Sequence, residues 1–229
     1  NLRTDLLKEF DLSLINKKNN ESLKHLDPHA LEFSYKYNNL SDNIDYVEND
    51  QNKIIIDVIN GKIVRVENNK INNFNIDITN IDNKNNSIHD KFLFFQNYFY
   101  YDLVLNLNSL MLNSGYEINI GADQEVNIVI SNSISEKDLT IFQKNFISCA
   151  KNSKVTIIED YLFEKPSNNN IVNFIDLDEG AKVKHLIFQK NKEKANLQST
   201  SYTNCKGNAK YKQLTLNISN SSVRNHHYA

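Results

Sequence analysis

Three segments in the second half of the chain fall into one register. Ser153-Lys154-Val155-Thr156 aligns with Ala181-Lys182-Val183-Lys184 and with Ala209-Lys210-Tyr211-Lys212, and the lysines stand 28 residues apart each time. The register extends outwards. Phe146, Phe174 and Tyr202 fall in one column, Cys149, Leu177 and Cys205 in a second, and Ile158, Leu186 and Leu214 in a third. Asn152, Gly180 and Asn208 occupy a fourth column, just before the lysines. Gly and Asn enter the left-handed backbone region at the least cost, so this column reads as a tight turn. Each unit is then strand, turn, strand and a longer return, with almost no helical pattern between units. Like residues stacking on like at a fixed period mark a parallel β-helix, or solenoid. An antiparallel sandwich also alternates, but gives no reason for in-register columns of large apolar residues. An upstream unit at Gln124-Glu125-Val126 joins the register only with a one-residue shift.

The composition fits an unusual alphabet for such a fold. The chain holds 39 Asn against 5 Gly and 2 Pro. Asn-rich tracts can signal disorder, but here Asn alternates with Ile, Val, Leu and Phe. With 229 residues and 40% hydrophobic, a sizeable core is affordable. Asn152 and Asn208 share the turn column with Gly180, so some Asn stand where Gly would otherwise be needed. Many others are expected on the outward side of strands. A net charge of -2 excludes a strongly basic nucleic-acid binder. No run of 18 apolar residues is present, so no membrane-spanning helix is expected. No secretory apolar segment opens the chain, and the start at Asn1 rather than Met leads us to expect a missing upstream piece.

The first half has a different pattern. Leu2, Leu6, Leu7, Phe10 and Leu14 give a helix over residues 1–20. Residues 53–66 read as a hairpin around Asn60-Gly61, with a short strand near Phe74–Ile78. The thick apolar stretch 90–112 reads as a second helix, and Gly115 as its C-terminal cap. The expectation is a mainly β protein: a right-handed parallel β-helix over 113–229, preceded by a small α+β region over 1–112.

Candidate chemical groups are few. Cys149 and Cys205 are too few for a disulfide framework or a zinc site. Their column, shared with Leu177, points them into the solenoid, with no basic neighbour to make a thiolate. The histidines are His25, His29, His89, His185, His226 and His227. His25 and His29 have a metal-binding spacing for a helix, but Pro28 interrupts it. His226 and His227 fall on opposite faces of a strand. Asp176, Asp178 and Glu179 cluster at one turn, as in calcium-dependent polysaccharide lyases of β-helix fold, but the only arginines are Arg3, Arg65 and Arg224. A solvated turn is the simpler reading. No phosphate loop, nucleophile elbow or metalloprotease motif occurs. No catalytic, cofactor-binding or metal residue is therefore assigned, and nothing calls for an enzyme.

Four stretches resemble the SufD branch of the SufB/SufD family, β-helix subunits of the SUF iron–sulfur cluster assembly machine. They are Asn1–Leu7, the hairpin Ile54–Val66, the segment Leu107–Tyr116, and Asp176–His185 with its Leu177, Gly180-Ala181, Val183 and His185. Arg224 after Ser221-Ser222-Val223 resembles the end of a later rung. The resemblance implies a non-catalytic scaffold in the cytoplasm, with a SufB-like paralogue and a SufC-like ABC ATPase as partners. It implies no cofactor in this segment, an iron–sulfur cluster passing transiently through the full complex, and no nucleic-acid or membrane partner. Further rungs and a C-terminal helical domain of the family are not matched, so the chain is expected to stop in mid β-helix and to self-associate alone. No functional residue is carried over. The alternatives are a SufB-like paralogue and, from another class, a polysaccharide-acting β-helix enzyme or an adhesin.

Overall fold

The computed structural model describes residues 43–48, 53–68, 75–81, 105, 108–109, 111–192 and 194–228. Among the described residues thirteen strands follow one another: β1 (Asp45–Glu48), β2 (Ile54–Ile59), β3 (Lys62–Asn68), β4 (Ile76–Asn80), β5 (Ser114–Ile120), β6 (Glu125–Ser133), β7 (Leu139–Cys149), β8 (Lys154–Leu162), β9 (Ser167–Leu177), β10 (Lys182–Gln189), β11 (Ala195–Cys205), β12 (Lys210–Asn217) and β13 (Val223–Tyr228). They form two sheets. The first has the order β1-β3-β2-β6-β8-β10-β12, the second β13-β11-β9-β7-β5-β4. From β6 onwards the chain alternates between the sheets, and every neighbouring pair is parallel. This is a parallel β-solenoid of about four turns, β6–β7, β8–β9, β10–β11 and β12–β13.

The repeat columns are ladder registers. Lys154 pairs with Lys182 and Lys182 with Lys210. Phe146 pairs with Phe174 and Phe174 with Tyr202. The shifted upstream unit is present as well: Glu125 of β6 pairs with Lys154, one residue further than the later 28-residue step. The turn column holds Asn152 (φ 60°), Gly180 (φ 73°) and Asn208 (φ 56°), with Asp123 (φ 57°) at its head. Successive turns are tied, since Asn152 N–H donates to the Glu179 carbonyl and Gly180 N–H to the Gly207 carbonyl, both at 3.0 Å.

The hairpin is β2–β3, antiparallel, with Asn60 (φ 52°) and Gly61 (φ 78°) both left-handed. Two positive φ values give the turn whose twist matches a hairpin. β2 carries the solenoid's first sheet onward by pairing with β6 in parallel. At the same end, β4 pairs antiparallel with β5.

Two apolar clusters fill the space between the sheets. One joins Ile128, Val155 and Val183 to Ile147, Ile175 and Leu177. The other joins Tyr161 and Ile187 to Ile141, Ile171 and Leu197. A third lies on the opposite face of the second sheet, where Leu105 and Ile81 cover Phe146, Val172, Phe174 and Tyr202. That double covering explains why β7 is buried at nearly every position, on both faces. Each buried side chain of this size contributes about 1.5–3 kcal/mol.

Two expectations change. Gly115 does not cap a helix: it lies in β5 at φ 151°, where an added Cβ would collide with the Lys144 carbonyl of β7. Its lack of a side chain permits a close strand approach. Nor is Asn confined to the outward side. Asn132, Asn145, Asn169 and Asn173 are buried. The inward amides bond along the axis, Asn145 Nδ2 donating to Asn173 Oδ1 at 2.8 Å across adjacent coils. The helix expected over 1–20 lies outside the described residues. Of the one expected over 90–112, residues 105, 108, 109 and 111 are helical, residue 112 is not, and the others lie outside the described set.

Candidate functional site

Strict alternation along β8 turns Val155, Ile157, Glu159 and Tyr161 to the inside, and along β10 it does the same for Val183, His185, Ile187 and Gln189. A carboxylate and an imidazole therefore lie within an otherwise apolar bore. Their side chains are 1% and 0% exposed, with Glu159 Oε2 3.1 Å from His185 Nε2. The other oxygen, Oε1, accepts from Tyr161 OH at 2.6 Å, Tyr116 OH at 3.2 Å and Asn132 Nδ2 at 3.4 Å. His185 Nδ1 meets Tyr211 OH at 2.8 Å, and Tyr211 OH donates to Gln213 Oε1 at 2.9 Å. The carboxylate can only accept, so His185 Nε2 carries the proton that joins the pair.

The node spans every coil. Tyr116 comes from β5, Asn132 from β6, Glu159 and Tyr161 from β8, His185 from β10 and Tyr211 from β12. His227 of β13 stacks on Tyr211, with ring centroids 5.7 Å apart. Burial alone would push Glu159 up. The hydrogen bonds and charge of His185, with the two tyrosine hydroxyls, outweigh it and hold the carboxyl below its ordinary value. Burial and the Glu159 charge push the Tyr116 and Tyr161 hydroxyls well up, so both stay protonated donors. Burial, with His185 nearby, holds His227 below the usual imidazole value. Enclosed in this way, the pair lacks the open face on which an acid–base catalyst would meet a substrate. Its chemistry is to join successive coils by charge-assisted bonds.

The sequence-derived candidates are not brought together here. Cys149 is buried and Cys205 exposed, in one register with Leu177. Burial and the charge of Asp176 push the Cys149 thiol up to about 12, which makes it unreactive at neutral pH. His226 and His227 do take opposite faces: His226 accepts from Arg224 Nε at 2.9 Å, while His227 faces Tyr211. In the acidic cluster, Asp176 accepts from Asn204 at 2.7 Å, Glu179 pairs with Lys151 at 2.8 Å, and Asp178 accepts from the Glu179 N–H. All three are partnered, Asp176 at the end of β9 and Asp178 and Glu179 in the turn that follows. Among the described residues, no group of three or more His, Cys, Asp or Glu is placed to hold a metal ion. His25, His29, His89 and Arg3 lie outside the described residues.

Sequence reasoning missed Glu159 and the tyrosines around it. The signal was there, since Glu159 stands two residues from inward Ile157 and two from Tyr161. A second missed group is Lys144, wholly buried on the outer face of β7, where its ammonium donates to Ser109 Oγ. Burial holds it well below the usual lysine value. Asn108 clasps the same face, donating to the Gln143 and Asn170 carbonyls at 3.1 and 2.8 Å.

Residues 130–229 match the family model described as SUF system FeS cluster assembly, SufBD core domain. The match covers less than half of the chain and falls on the solenoid from β6 to β13. Searches of the curated proteins and of the solved structures give no match. No helix among the described residues is long and apolar enough to cross a membrane.

Proposed function

We propose that the chain is a non-catalytic scaffold subunit of the SUF machinery for iron–sulfur cluster assembly, of the SufD type. It would work in the cytoplasm with a SufB-like paralogue and a SufC-like ABC ATPase, with the cluster as cargo of the assembly. The observation that carries this reading is the match of residues 130–229 to the SufBD core domain, on coils that are a parallel solenoid. The physical behaviour of the coils supports a scaffold. Stacked rungs with a continuous core move as one rigid body, which is what an assembly driven by an ATPase requires of its frame. The low cysteine count favours the SufD type over SufB, and the buried Cys149 thiol is a poor nucleophile. The test is co-purification of the tagged full-length protein from its native cells. Recovery of a SufB-like subunit together with an ABC-type ATPase in stable proportion is expected; their absence from a folded, soluble bait overturns the proposal.

A further inference from the structure

On the outer face of the first sheet, strand register lays side chains out as a grid. Lys154, Lys182 and Lys210 form one row across β8, β10 and β12, and Thr156, Lys184 and Lys212 form the next. Rows repeat about every 6.6 Å along the strands and columns about every 4.8 Å across them. Lys154 is paired with Glu125 of β6 at 3.2 Å. Lys182, Lys184, Lys210 and Lys212 are exposed and make no ion pair among the described residues. These lysines line a groove of about 390 Å³. Like charges set opposite one another on neighbouring strands destabilise a sheet. The array is an electrostatic cost that an anionic occupant would relieve.

The rows beyond the lysines are of another character. Ile158, Leu186 and Leu214 align, and in the next row Phe188 lies between Leu216 and Asp160, the latter paired with Lys190. Leu214 is 53% and Leu216 45% exposed. One continuous face is thus basic along one side and apolar along the other.

We propose that this face docks an acidic amphipathic α-helix of a partner protein, lying along the solenoid axis and across the strands. The spacing is the argument. A helix brings side chains at i, i+4 and i+7 to one side at about 5.4 Å per turn, close to the 4.8 Å step between coils. Two of three acidic residues so placed meet the unpaired lysines of β10 and β12 and the third shares Lys154 of β8 with Glu125, while the adjoining apolar stripe covers the Ile158–Leu186–Leu214 row. A nucleic-acid backbone would neutralise the lysines but leave the apolar rows in water. The chain's net charge of -2 also gives it no long-range pull on a polyanion. This inference goes beyond the scaffold reading and does not depend on it.

The test uses the 229-residue chain and a fluorescent helical peptide carrying Glu at i, i+4 and i+7 with Leu along the neighbouring stripe. Controls are a scrambled peptide of the same composition and a single-stranded oligonucleotide of equal charge. Anisotropy titration should give at least tenfold tighter binding of the striped peptide than of either control, weakening as salt is raised. The pair Lys182→Glu and Lys210→Glu should lower that binding at least tenfold, and Leu186→Ser should lower it without changing the salt dependence. The pair Lys182→Gln and Lys210→Gln is the folding control. It relieves repulsion, so it should keep the thermal midpoint at or above the parent's while binding still falls. Equal binding of the scrambled peptide, tighter binding of the oligonucleotide, no binding of the striped peptide, or indifference to charge reversal each overturns the proposal.

Discussion

Glu159 shows how one side chain can bind several coils together. It is an ionised group in an apolar bore, tolerable only because both oxygens are fully engaged. Removing its partner should therefore cost more than removing its charge. His185→Ala leaves a buried carboxylate facing a cavity and should lower unfolding free energy by about 3–5 kcal/mol. Glu159→Gln keeps an oxygen for the two tyrosines and should cost about 1–3 kcal/mol. Urea unfolding of both variants checks the order; a larger loss for Glu159→Gln contradicts a buried carboxylate that depends on His185. The face of Glu159 was legible in its alternation with Val155 and Ile157. Its partner was not, because His185 sits two positions out of rung register, pairing with Ile157. Side-chain reach across a rung is set in three dimensions, and a column reading sees only residues directly above one another.

The ladders are the next scale. Phe146, Phe174, Tyr202 and Tyr228 stack in one pile, with ring centroids 5.0, 5.4 and 4.9 Å apart. The sequence gives away three of its members through their spacing. The face they occupy was hidden, since the cover comes partly from Leu105, far off in sequence. Phe174 has a ring above and a ring below, so Phe174→Ala should cost about 3–5 kcal/mol. Phe174→Leu, which keeps much of the volume, should cost distinctly less, as read from denaturant midpoints. The turn column makes a sharper test of backbone chemistry. Gly180 has φ 73°, and an added Cβ would lie 2.6 Å from Asn152 Oδ1, the far end of an exposed side chain whose amide donates to Asp123. Asn152 and Asn208 already hold this conformation in the coils on either side. Gly180→Asn should be within about 0.5–1 kcal/mol of the parent, whereas Gly180→Val, β-branched at positive φ, should cost about 1–2 kcal/mol or more. Equal losses would mean that the column is set by space rather than by φ.

For the whole molecule, the two buried acids of opposite fate set limits on pH. Glu159 has a folded value below its unfolded one, so its contribution is complete above about pH 4.3 and is lost as pH falls through the folded value. Cys149 is the reverse case: an acid whose folded value, about 12, lies above the unfolded value of about 8.5. Between those limits the unfolded chain gives up a proton that the folded chain keeps. The Cys149 contribution must then fall as pH rises, at about 1.4 kcal/mol per pH unit once the unfolded thiol is ionised. Other buried groups titrate over the same range, Tyr116 and Tyr161 lowering stability and Lys144 raising it, so the Cys149 share is read as a difference between variants. Cys205 is exposed, and its thiol is shifted less. The change from pH 7.5 to 10 should therefore be less favourable in the parent than in Cys149→Ala by about 2 kcal/mol, and nearly the same in the parent and Cys205→Ser. Urea midpoints across that range decide the matter. An equal alkaline decline in Cys149→Ala would place the titrating group elsewhere and remove Cys149 from the interior that joins the two sheets.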